Sequence, residues 1–237
     1  MTALITGELI KTVTTRTLFG YAVIGVALAV GNVLILTLSE DLVTVADKQE
    51  AIAGLPVMLL LFGLVGAAGE YRHQTAAPAV LAAGRGRAQV LLARAGAYAL
   101  VGLAVGALTA AVSLALGLPL LGNEPGPGVG SGEITSVVTG SSVGAALCAI
   151  MGVAAGALVR NQVVGVVGAL ILMFVVTPLL NIVNATALDY SPFGAAVALA
   201  GDPTASLSWA GAALVLAAWT AVALLAAILA EQRRDLA

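Results

Sequence analysis

Six stretches of this chain are apolar from end to end and hold no Asp, Glu, Lys, Arg or His. They are Leu18–Leu38, Gly54–Gly69, Ala95–Leu121, Gly140–Val159, Val163–Val183 and Leu207–Ala230. A helix rises ~1.5 Å per residue, so about 20 such residues span the ~30 Å hydrocarbon layer of a bilayer. The runs lack the alternation that a membrane β-barrel needs, and helices are the other way to satisfy every backbone group in lipid. The expected fold is therefore an all-α membrane protein, one transmembrane domain over residues 1–237, with six transmembrane helices. Composition agrees: 9% of residues are charged and 60% are apolar, with a mean hydropathy of +1.08. That is too little charge for a water-exposed surface, a disordered chain or a nucleic-acid binder. Cys148 is the single cysteine, which excludes an intrachain disulfide and a cysteine metal cluster.

Six spans put both termini on one side. With the termini in the cytoplasm, Lys11, Arg16, Arg72, Arg85, Arg87, Arg94, Arg160, Arg233 and Arg234 lie inside, and Lys48 alone lies outside. Glu40, Asp41, Asp47, Glu50, Glu124, Glu133, Asp189 and Asp202 lie outside, against Glu8, Glu70, Glu231 and Asp235 inside. This asymmetry orients the chain by the positive-inside rule. The first run is too long for a signal peptide, and Ser39-Glu40-Asp41 is a poor cleavage site, so span one is expected to stay uncleaved.

The loops are unequal. Thr2–Leu18 mixes apolar residues with Glu8, Lys11 and Arg16, the pattern of an amphipathic helix lying along the inner interface; the alternative is an unstructured amino-terminal tail. The longest inner loop, Glu70–Arg94, holds a helix start at Thr75-Ala-Ala-Pro78 and a breaker at Gly84-Arg85-Gly86-Arg87, predicting a short helix over Ala77–Ala83. The inner connection between spans four and five is only Arg160-Asn161-Gln162. Outside, Gly122–Thr139 reads as a flexible Gly/Pro-rich loop. Phe193–Ala200 is too short to cross and reads as a short re-entrant or interfacial helix. The inner loops differ too much for an inverted repeat.

Several chemistries find no support. No ionisable group sits at bilayer depth for catalysis or proton coupling. Gly140-Ser-Ser142-Val-Gly144 matches a serine-hydrolase pattern but opens a membrane helix, where small residues serve close packing. Gly102-x-x-x-Gly106 and Gly152-x-x-x-Gly156 fit the same packing role. His73 has no second histidine to share a metal with. Asn184-Ala-Thr186 fits a glycosylation acceptor, with nothing else to suggest that processing. The only lysines are Lys11 and Lys48, and Gly7-Glu-Leu-Ile-Lys11-Thr12 is not a phosphate-binding loop. ATP-driven work would need a second polypeptide.

The layout resembles the permease subunit of ABC-2 type transporters, the six-span transmembrane half of a bacterial ABC exporter. The resemblance covers the whole chain and rests on four features. An interfacial helix, about Thr2–Thr17, precedes span one. Glu70-Tyr71-Arg72-His73-Gln74-Thr75 closes span two and is similar to that family's E-[YF]-R-x-x-T signature, although glycine is common where Gln74 stands. Pro78–Arg94 looks like the coupling helix and the entry to span three. Ser191-Pro192-Phe193 sits where the family places a re-entrant hairpin.

The resemblance implies a dimer of two permease subunits, a homodimer being favoured, docked on two cytoplasmic ABC ATPase subunits in the plasma membrane. This chain would bind no cofactor itself; ATP and Mg would sit on the ATPase. Coupling would run through Glu70, Tyr71, Arg72, His73, Gln74, Thr75, Pro78, Leu81, Arg85 and Arg87. The arginines Arg85 and Arg87 would offer donors to acidic groups of the partner, or meet lipid headgroups. Glu70 at the membrane edge needs a cation, with Arg72, Arg94 or Arg16 available, and such a pair would lock the spans to the interfacial helix. A substrate path along spans one, two and five would include Asn32, Met58, Phe62, Phe174, Thr177 and Asn181, with Pro178 as a gate or a bend. Its aliphatic lining suits hydrophobic or amphipathic cargo such as a drug, lipid or peptide. The alternative class is a non-transporting membrane scaffold or assembly factor.

Overall fold

The computed structural model describes residues 2–39, 42–202 and 205–233. Glu40, Asp41, Arg234 and Asp235, which enter the charge count, and Pro203 lie outside the described residues. Every regular element among the described residues is helical: α1 (Thr2–Thr14), α2 (Arg16–Ser39), α3 (Val45–Ile52), α4 (Met58–Arg72), α5 (Ala76–Ala83), α6 (Arg87–Leu121), α7 (Ser131–Val159), α8 (Gln162–Ile171), a π-helical turn (Leu172–Val176), α9 (Thr177–Val183), α10 (Ala185–Asp189), α11 (Pro192–Ala200) and α12 (Trp209–Arg233). Five rods are long and apolar enough to cross a membrane: Arg16–Leu38, Arg87–Leu121, Ser131–Val159, Gln162–Val183 and Trp209–Arg233.

The run expected to form the second span behaves differently. Its helix starts at Met58 instead of Gly54 and has 15 residues, about 22 Å of rise. Pro56, with no N–H, and the non-helical Ala53-Gly54-Leu55 delay its start. Leu59, Leu60, Leu61, Phe62, Gly63 and Leu64 are all buried, so this part of α4 meets protein on every side.

Other boundaries moved for local reasons. Between the first two apolar runs lies α3, which the apolar-run pattern does not show. Its Thr44 side chain accepts from the Asp47 N–H (3.1 Å) and the Asp47 carboxylate accepts from the Thr44 N–H (2.9 Å), a complete capping box. The expected Gly122–Thr139 loop ends early, because α7 already begins at Ser131. Helix α6 runs unbroken from Arg87 to Leu121, so the entry to the third span is part of one rod.

α7 is the post of the bundle, packed against α4, α6, α11 and α12. Glycines let the backbones close in. A Cβ on Gly102 would lie 2.7 Å from the Ala145 carbonyl oxygen, and one on Gly152 only 2.0 Å from that of Leu60. The two G-x-x-x-G pairs are thus helix contacts. In the hydrolase-like pattern, a Cβ on Gly140 would lie 1.7 Å from the Leu199 carbonyl oxygen, and Gly144 lies against Pro56. By contrast, α2 and the α8–α9 rod are peripheral, with Phe19, Val23, Phe174 and Ile182 exposed. The π turn in that rod ends at Val176, two residues before Pro178. The Thr177 N–H and hydroxyl both return to the Leu172 carbonyl, the hydroxyl at 2.8 Å, which widens the helix by one residue before the proline.

Candidate functional site

The Glu70–Thr75 hexapeptide folds as one helix-ending device. The Thr75 N–H donates to the Glu70 carbonyl (2.9 Å) and the Gln74 N–H to that of Tyr71 (3.2 Å). These are the two bonds of a Schellman cap. The Thr75 hydroxyl donates to the same Glu70 carbonyl at 3.3 Å. Gln74 sits at φ 54°, the left-handed backbone that glycine adopts without strain.

The device holds Glu70 and Tyr71 on the last turn of α4, and each feeds a polar hub. In the first hub the Arg94 guanidinium of α6 pairs with Glu70 and, at 3.3 Å, with Glu8 of α1. Lys11 of α1 pairs with Glu70 and, at 2.7 Å, with Glu8. Arg94 is the cation that meets Glu70 most deeply; its side chain is 4% exposed against 43% for Lys11. Arg72 instead reaches Gln162 of α8 (3.5 Å). Two acids and two cations cancel, and they tie α1, α4 and α6 together. A guanidinium this buried is tolerated because its partners satisfy it; removing them costs about 3–5 kcal/mol.

The second hub centres on Glu231, buried on the last turn of α12. Its carboxylate accepts the Tyr71 hydroxyl and, at 3.1 Å, the Arg160 guanidinium. Its carbonyl accepts from Arg87 at 3.3 Å. The Arg160 guanidinium also lies 4.9 Å over the Tyr71 ring. Arg160 closes α7 at φ 54°, and Asn161 at once caps α8 by accepting from the Val163 and Val164 N–H groups. The three-residue reversal thereby aims Arg160 inward. This hub joins α4, α6, α7 and α12.

α5 hangs on the first hub through the cap and on the second through Arg87. It spans Ala76–Ala83, close to the expected Ala77–Ala83, and ends at Gly84 with φ 57°. Pro78 is exposed, and Leu81 is 81% exposed. The two expected docking arginines separate: Arg85 faces solvent, whereas Arg87 is half-buried and turned to Glu231. His73 and Thr75, with Glu70, Lys11 and Tyr98, line a cavity of about 480 Å³ between α1, α4 and α6.

The six path residues are dispersed. Phe62 is core, its ring 4.9 Å from that of Tyr98 and 5.6 Å from that of Tyr21. Met58 is half-buried. Asn32 donates to the Glu50 and Ala51 carbonyls at the end of α3. Phe174 is exposed on the π turn. Thr177 and Asn181 share a cavity of about 220 Å³ with Asp189 and Phe193.

The sequence reading did not single out Glu8, Lys11, Arg160 or Glu231 as site residues. A signal for two of them was present. Glu8, Glu70 and Glu231 are acids on the side that the charge asymmetry reserves for cations, and all three are hub centres. No protein-family model matches this chain, and no curated protein matches it.

Proposed function

We propose that this chain is the six-span permease half of an ATP-driven ABC exporter, α4 serving as the short second span. The end bearing both hubs faces the cytoplasm of a plasma membrane, as the nine-to-one division of cations favours. Two copies pair, and two cytoplasmic ATPase subunits carry ATP and Mg. Cargo is hydrophobic or amphipathic, and α11 is the re-entrant element.

One observation carries this reading. α5 is a short apolar helix that exposes Leu81 and Arg85 while being anchored to two hubs that between them grip α1, α4, α6, α7 and α12. An apolar side chain left in solvent next to a cation suits a partner's groove with an acidic rim. A push on α5 reaches five helices through charged bonds instead of being lost in a loop.

The test is co-purification from native membrane. A stoichiometric ATPase subunit travels with the wild-type chain, and Leu81→Glu with Arg85→Glu releases it while leaving the chain inserted. A wild-type chain that arrives without any ATPase defeats the reading and leaves a scaffold.

A further inference from the structure

We infer that the 480 Å³ cavity beside the first hub is a binding site for the headgroup of an inner-leaflet phospholipid whose phosphate carries an amine. The volume falls in the ~300–1,000 Å³ range of small-molecule sites. Its walls are unusually polar for this chain: the hydroxyl-bearing Thr12, Thr15, Thr17, Thr75 and Tyr98, and Gln162. Most side chains elsewhere on the bundle's flanks are aliphatic, so a polar pocket of this size has to be accounted for.

Charge decides the ligand class. Lys11 and Glu70 both line the cavity, and with Glu8 and Arg94 they form a closed set of two cations and two acids. A bare anion would meet Glu70 and gain little, and a bare cation would meet Lys11. A zwitterion satisfies both: its phosphate takes the Lys11 ammonium and the threonine hydroxyls, and its amine takes the Glu70 carboxylate. The location fits a lipid rather than a soluble molecule. α1 is an amphipathic helix at headgroup depth in the proposed orientation, and Val65 and Gly66 of α4 continue the wall toward the apolar bundle. The inference rests on that orientation and not on an ATPase partner.

Gly69 supplies the test. It lines the cavity, yet a Cβ there meets nothing within 4 Å. Gly69→Leu therefore puts an apolar side chain into the space without a clash at Cβ. Gly168→Leu, at another glycine with open space around its Cβ, is the control. The purified full-length chain is loaded with an equimolar phosphatidylethanolamine and phosphatidylglycerol mixture, stripped stepwise with detergent, and read by native mass spectrometry.

Expected is one retained phosphatidylethanolamine per chain, favoured about tenfold over phosphatidylglycerol, with retention lost in Gly69→Leu at an unchanged thermal midpoint and kept in Gly168→Leu. If Gly69→Leu does not fold, Thr17→Leu, which removes a lining hydroxyl, is expected to weaken retention instead. Equal retention of both lipids, or full retention in the filled or Thr17→Leu variant, overturns the site. Displacement by soluble phosphoethanolamine at the lipid's own concentration also overturns it, in favour of a free metabolite.

Discussion

The two ends of the bundle are held by different means. At the end carrying Glu70, charged side chains from distant parts of the sequence bond to each other. The ion pairs of Lys11 and Arg94 with Glu70, of Arg94 with Glu8 and of Arg160 with Glu231 lie there. At the opposite end the fastenings are mostly local or run from a side chain to a backbone group. They include the Thr44–Asp47 capping box, the Ser191 cap on the Gly194 N–H, Asp189 accepting from the Ser206 N–H, and Lys48 reaching the Glu124 carbonyl. A charge hub couples elements because one buried group has partners on several helices. A cap secures one helix and transmits nothing beyond it. The first end is thus tied across several helices by charge, the second by caps and by single side-chain-to-backbone bonds.

The strongest way to break this contrast is Arg94→Leu. It leaves Glu8 and Glu70 facing one another with only the half-exposed Lys11 between them. A loss of about 3–5 kcal/mol is expected, read as a large drop in thermal midpoint in detergent, together with release of α1 to proteolysis. Next is Glu231→Ala, which removes the carboxylate that accepts from the Arg160 guanidinium and the Tyr71 hydroxyl. Loss of its charged hydrogen bonds is expected to cost about 2 kcal/mol, and amide exchange should rise at the ends of α4, α7 and α12 together.

A change at the other end should stay put. Thr44→Ala removes the α3 cap at about 1 kcal/mol, with faster exchange in α3 and none at the hubs. If exchange spreads to Glu231, the two ends are not built differently. The same cap has a pH signature. The Thr44 N–H holds the Asp47 carboxyl below its ordinary value. Its contribution is therefore present above the unfolded pKa and is lost as pH falls through the lowered one. Fraying of α3 should appear only in acid, as seen by exchange over a pH series. The smallest effect is Gln74→Gly. Relief of the left-handed strain, which costs about 1–2 kcal/mol, outweighs the added glycine entropy of about 0.5–1 kcal/mol, for a slight gain in stability.

The apolar runs were legible because lipid imposes a simple demand on length and polarity, and five of them became long rods. The short helix α5 was legible from Pro78 and Gly84, which punctuate the chain locally. α3 does not stand out in hydropathy because Asp47, Lys48, Gln49 and Glu50 are all polar, although Thr44-x-x-Asp47 marks a helix start. The early start of α7 was hidden by the glycines at 128, 130 and 132. The sequence required a cation for Glu70 and offered three. The choice of Arg94 is a tertiary fact, fixed by where α6 crosses α4. Glu231 could not be joined to Tyr71 at all, since 160 positions separate them and only the packing of α12 on α7 brings them together.

α6 has 35 residues, so it extends about 52 Å, well beyond the ~30 Å oily layer. Its lower tip bears Arg87 and its next two turns bear Arg94, so both electrostatic knots grip the same shaft. A shaft gripped twice near its foot cannot swivel independently of what holds it. Any rocking imposed there is carried, like the stroke of a crankshaft rod, to Leu121 on the far side.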